Sequence, residues 1–196
     1  MVAVAARRRF TVDEYHRMAE AGILTEDDRV ELIDGEVVQM SPIGARHAAT
    51  VKRCNRALSR VVGDRALVSV QDPVDLDPYN EPQPDVALLR PRADDYAGGT
   101  PGPADIFLVV EAADTSLAHD RQVKLRWYAA TGVREVWLLD LPGDALEAHR
   151  EPRSTGYALI RRYQRGERLA PEALPDLVVP VDDLLPPAAP PDTEGA

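Results

Sequence analysis

The chain has 196 residues, 44% hydrophobic and 29% charged, with 33 acidic against 23 basic side chains and a formal net charge of -10. That length and balance suit one soluble globular domain whose core needs no covalent staples, and the lone Cys54 excludes an intramolecular disulfide and fits a reducing compartment. No apolar run approaches the roughly 18 residues that span a bilayer. The start, "MVAVAARRRF", sets a short apolar stretch before its arginines, the reverse of a secretory signal, so the expected location is the cytoplasm with no membrane contact. A uniformly acidic surface repels nucleic acid; a phosphate-binding role therefore needs a local basic surface, or a metal site that accounts for part of the acid.

In chain order, "TVDE" reads as a capping box in which Thr11 and Glu14 satisfy each other's amides, opening a helix that should stop near Gly22. "RVELIDGEVVQM" reads as a hairpin turning tightly at Asp34-Gly35, with Glu31 on its first strand. From Arg46 to Val62 the pattern is helical: Val51, Cys54, Leu58, Val61 and Val62 share one face. "ALVSVQDPVDL" reads as a strand, with Pro73 hinting at an edge or bulge. A Pro-rich loop leads to the short strand "DVALLR", and a Gly- and Pro-rich loop to "IFLVVEA". A helix from about Ala118 to Thr131, closed by Gly132, then precedes the strand "REVWLLD", a strand-helix-strand unit that points to a parallel pair. Shorter strands are expected at Ala145 to His149 and Tyr157 to Tyr163, and the tail "PPAAPPDTEGA" has a disordered composition. The whole is an α/β mixed sheet flanked by helices, whose continuous apolar runs should be central strands.

Two acids stand out. Asp85 opens "DVALLR" after Pro84, and Glu111 ends the apolar run "IFLVVE". Neighbouring strands would bring both to one sheet edge, where a lone buried carboxylate is costly without a counter-ion, a metal or a proton. A hard divalent cation such as Mg²⁺ takes one or two carboxylates and keeps several waters. It can acidify a bound water and neutralise a phosphoryl oxygen, while Lys124 could stabilise developing negative charge. The same residues also have a plainer reading. Asp120 and Lys124 lie at the i, i+4 spacing of a solvated surface salt bridge; Asp85 can simply begin a strand, and Glu111 can cap the following helix.

"PDVALL" from Pro84 and "LVVEAADTSLAHDRQVKLRWYAATGVREVWLLD" from Leu108, together with "FTVDEYHRMAEAG", "VELIDGEVVQMSPIGARH" and "LPDLVVPVDDLL", resemble the Uma-two family of endonucleases, a branch of the PD-(D/E)XK, restriction-endonuclease-like nucleases. The likeness runs from about Phe10 to Leu185. It implies a single nuclease-like domain over 10–185 with an αβα core preceded by a helix and hairpin, between a flexible 1–9 and a disordered Pro-rich 186–196. It implies a Mg²⁺ cofactor, with Mn²⁺ an alternative, held by Asp85 and Glu111. The lysine of the superfamily's acid-x-Lys pattern would fall at Ala113, so the resemblance assigns its role to Lys124 from the next helix. Glu31 matches a further acid at the site, and His47 and Gln83 match recurrent positions. Asp120 and Tyr128, one helical turn either side of Lys124, become supporting residues.

The implied activity is metal-assisted phosphodiester hydrolysis in nucleic acid, with DNA the expected substrate and a homodimer supplying two cuts. Arg46, Lys52, Arg53, Arg56 and Arg60 on one helix, and Arg161, Arg162, Arg165 and Arg168 near the end, are either phosphate-tracking surfaces or solvated faces. Trp127 and Trp137 fall within apolar patterns and read as core. The competing function is a non-catalytic binding or regulatory module on the same fold. A Ser or Cys hydrolase has no support, since Cys54 lies on the apolar helix face and no G-x-S-x-G element occurs.

Overall fold

A computed structural model of the chain describes residues 7–25, 27–114 and 123–187. The expected capping box opens helix α1 (Val12–Glu20): the Glu14 amide donates to Thr11 Oγ1 at 3.2 Å, and the Thr11 amide donates to Glu14 Oε2 at 3.1 Å. The helix ends just before Gly22, whose positive φ of 71° lets the chain turn away. Strands β1 (Val30–Ile33) and β2 (Glu36–Gln39) pair antiparallel around Asp34 and Gly35, both at positive φ (51° and 72°) as a type I′ turn requires. A Cβ at Gly35 would also stand 2.6 Å from Arg9 Cβ, where the amino-terminal strand of chain crosses the turn.

Helix α2 (Ala45–Val62) follows, burying Val51, Cys54, Leu58 and Val62 as its periodicity predicts. Next come β3 (Leu67–Ser69), β4 (Val86–Leu89), β5 (Ile106–Ala113), helix α3 (Leu125–Ala130) and β6 (Glu135–Asp140). Strands β7 (Ala145–Arg153), β8 (Gly156–Gln164), β9 (Arg168–Leu169) and β10 (Val179–Pro180) and the short helix α4 (Val181–Leu184) complete the described chain. Six strands form one sheet in the order β3-β4-β5-β6-β7-β8, in which β5 and β6 run parallel and every other pair antiparallel.

The expected mixed α/β fold is therefore present, with the strand-helix-strand unit supplying its one parallel pair. Alternation along β5 sends Leu108, Val110 and Ala112 into a core beneath α2 and α4, and Val109 and Ala113 into a second core against Leu125 and Tyr128 of α3. Trp137 is fully buried in the first core and Trp127 packs against the second, as their patterns predicted. Among the described residues no helix is long and apolar enough to cross a membrane.

Three elements differ from expectation. The strand expected through Pro73 stops at Ser69: Gln71 takes a left-handed φ of 57°, which ends the extended run before the proline. Its placement at a sheet edge is as Pro73 suggested. The two short strands expected near the end are nine residues each and form one hairpin, because cross-strand pairing carries β7 and β8 beyond their apolar stretches. Of the helix expected from Ala118, the portion before Val123 lies outside the described residues.

One buried charge ties the sheet to the following loop. Glu135 on β6 is fully buried and accepts from Trp137 Nε1 at 2.7 Å, Arg150 Nε at 2.8 Å and the Glu172 amide at 2.5 Å. Removing the guanidinium strands an uncompensated carboxylate, so Arg150→Met should lower the unfolding free energy by about 3–5 kcal/mol. Urea denaturation measures this; a loss below about 1 kcal/mol would mean that the amide and indole donors suffice.

Candidate active site

Because β4 and β5 are antiparallel, with Val86 opposite Val110, the start of one and the end of the other meet at the same end of the sheet. This sets Asp85, just before β4, beside Glu111 near the end of β5. Asp85 Oδ2 accepts the Ala112 amide at 2.9 Å, an anchor that fixes the carboxylate against the neighbouring strand. The β1–β2 hairpin docks on the loop before β4 through a bridge between Leu32 and Glu81, and the Gln83 amide donates to Glu31 Oε2 at 3.2 Å. Segments remote in sequence thus line one cleft of about 280 Å³ containing Glu31, His47, Asp85, Glu111 and Lys124.

Lys124 joins two of these acids. Its Nζ lies 3.0 Å from Glu31 Oε2 and 3.8 Å from Glu111 Oε1. The residue is 8% exposed, against 5% for Glu31 and Glu111 and 9% for Asp85. Lys124 is thus buried rather than solvated, and it pairs with acids brought from elsewhere in the fold. Asp120 lies outside the described residues. Val123 and Lys124 form a π turn entering α3, a local widening often found at functional sites.

One turn on, Tyr128 is fully buried and its hydroxyl donates to Glu111 Oε1 at 2.7 Å. Burial, reinforced by the Glu111 charge, pushes this phenol well above its ordinary pKa, so it remains a donor at neutral pH. His47, in the first turns of α2, places Nε2 2.9 Å from Asp85 Oδ1. That hydrogen bond holds the imidazole above its usual range, against the opposing pull of burial.

All the expected residues that are described, Glu31, His47, Gln83, Asp85, Glu111, Lys124 and Tyr128, line the cleft or bond to a residue that does. Gln83 reaches Glu31 through its main chain. Sequence reasoning missed Gln71, whose amide donates to the Asp85 carbonyl at 3.2 Å and whose side chain reaches Asp85 Oδ1 at 3.4 Å. Its left-handed backbone is a local cost of the kind that gathers at functional sites, and nothing in a run that reads as strand marks it.

The basic stretches also read differently in three dimensions. On α2, Arg53 donates to the Asp182 carbonyl at 2.7 Å and Arg60 pairs with Asp183 at 2.9 Å. Near the end of the chain, Arg162 bridges Asp140 and Glu147, Arg165 grips Asp144, and Arg161 lies 3.6 Å from Glu167. Arg53 and Arg165 are half-buried and tie elements together, whereas Arg60 and Arg161 pair at the exposed surface.

Asp85 and Glu111 offer hard oxygen donors from adjacent strands, the set that Mg²⁺ takes while keeping most of its waters. Among the described residues no group of three or more His, Cys, Asp or Glu side chains forms a ready-made metal cage. Two carboxylates completed by water would be the donor set of such an ion.

A family model described as "Uma2: Putative restriction endonuclease" matches residues 12–182. No curated protein matches the chain. Among solved structures, that of a "putative nuclease belonging to DUF820" from Anabaena variabilis superposes with a TM-score of 0.66 at 16% identity, over 89% of this chain and 97% of that one. At that identity the likeness is one of fold.

Beneath the cleft, burial pushes the Cys54 thiol up to about 12. The folded value lies above the ordinary thiol pKa of about 8.5, so the resulting stability is present below that pH and is lost as pH climbs towards the folded value. Cys54 should resist a disulfide reagent at pH 8 in the native protein and react in denaturant; prompt labelling of the folded chain would contradict its placement.

Proposed function

Because the chain belongs to the Uma2 family, we propose that it is a metal-dependent endonuclease that hydrolyses phosphodiester bonds in nucleic acid, with DNA as its substrate. The observation that carries this reading is the meeting of Glu31, Asp85, Glu111 and Lys124 in one cleft, from segments with no local reason to meet. Asp85 and Glu111 would hold Mg²⁺ or Mn²⁺. When bound, the ion supplies a more acidic water and neutralises charge on the phosphoryl oxygens.

The chain's own residues supply positioning and charge. The Ala112 amide and His47 fix Asp85, and the Tyr128 hydroxyl fixes Glu111, so both carboxylates are oriented before substrate arrives. The Lys124 ammonium, anchored by Glu31, sits beside Glu111, where it can orient the attacking water and stabilise charge developing on the phosphoryl oxygen. The water oxygen bonds to phosphorus and gives up a proton to solvent, the bond to the leaving oxygen breaks, and that oxygen takes up a proton from solvent.

The proposal includes a homodimer, since cutting both strands of a duplex takes two sites. A second reading, a non-catalytic module on the nuclease fold, draws on the pairing of Arg162 and Arg165 with acids of the same chain, which offsets charge that could follow a phosphate backbone.

Asp85→Asn and Glu111→Gln keep the shape of each side chain and remove its charge. Each should abolish Mg²⁺-dependent nicking of plasmid while circular dichroism stays native; full cleavage by Glu111→Gln would remove Glu111 from the mechanism. Tyr128→Phe should cost about 10–100-fold in metal affinity or rate through loss of the bond that orients Glu111. Calorimetry finding no Mg²⁺ or Mn²⁺ binding to the wild-type protein would favour the module.

A further inference from the structure

We propose that Lys124 competes with the divalent cation for the carboxylate charge of the cleft, so that the lysine limits metal affinity as well as serving the reaction. This rests on the reading of Asp85 and Glu111 as the metal-holding pair. Three carboxylates, each exposed by less than a tenth, line the cleft, and the Lys124 ammonium lies against two of them. In such a site charges couple far more strongly than in water. An entering dication is drawn by the carboxylates and repelled by the ammonium beside Glu111.

Glu31 sets the terms of this competition. Its Oε2 accepts from both the Gln83 amide and Lys124, and Lys124 Nζ lies closer to Glu31 than to Glu111, at 3.0 Å against 3.8 Å. Glu31 is thus a positioning residue: it draws the ammonium towards the hairpin and away from the carboxylate that the metal needs. The lysine offsets part of the carboxylate charge of the resting site, and metal binding displaces part of that interaction.

The test is Mn²⁺ titration of the full chain by calorimetry and by the electron paramagnetic resonance signal of free Mn²⁺, at neutral pH and low salt. Lys124→Met should bind Mn²⁺ at least about tenfold more tightly than wild type, although its cleavage falls. Lys124→Arg keeps the charge and should bind within about threefold of wild type. Equal or weaker Mn²⁺ binding by Lys124→Met overturns the competition, whatever the cleavage assay gives.

A wild-type protein that binds Mn²⁺ but cuts nothing sinks the nuclease reading and leaves this one measurable, so the two fail separately. If Lys124→Met is too unstable for titration, its melting temperature with and without Mn²⁺, scanned from reduced temperature in a stabilising osmolyte, decides the matter by linkage. A larger rise in melting temperature with Mn²⁺ than wild type shows supports the competition, and no rise overturns it.

Discussion

Everything at the cleft follows from the cost of holding carboxylates where water is scarce. A buried acid must be answered by a cation, a proton or a full set of donors, and the chain answers each one differently. Glu31 and Glu111 share the Lys124 ammonium, Asp85 takes an imidazole and a strand amide, and Tyr128 closes on Glu111 from below. Away from the cleft, the fully buried Glu135 is enclosed by a guanidinium, an indole and an amide. The two environments separate a structural charge from one whose environment includes an opening.

The sheet topology delivers these groups. An antiparallel β4–β5 pair places one strand's start beside the other's end, and a parallel β5–β6 pair obliges the chain to cross back over the sheet, with α3 on that crossing. Lys124 and Tyr128 therefore arrive over the strand end that carries Glu111. The hairpin is a separate two-stranded unit, and its docking brings Glu31 to the far side of the same lysine. Secondary structure with strong local signals thus builds a site that has none of its own.

That division also explains what the sequence disclosed. The capping box at Thr11, the Asp34-Gly35 turn, the apolar face of α2 and the run ending in Glu111 are local patterns, and local physics settled them. Asp85, Glu111 and Lys124 were legible as chemically odd residues whose order resembles a family, but spacing alone favoured a surface pair for Lys124. Two of its partners lie 93 and 13 residues away along the chain (124 less 31, and 124 less 111). Only tertiary structure reveals such pairs. The same holds for Gln71, whose role depends on a backbone conformation, and for the arginines of α2 and β8, whose acidic partners come from other elements.

The two ends of the main sheet are unlike. At one end β3 offers three residues before the left-handed Gln71 turns the chain away; at the other, β8 presents nine, with Leu159 and Ile160 both exposed. Among the described residues the open rail is thus one-sided. Two copies meeting along it would use up the long margin of each and leave only the stunted ones facing outward. Pairing of that kind would close on itself and would not extend into a filament.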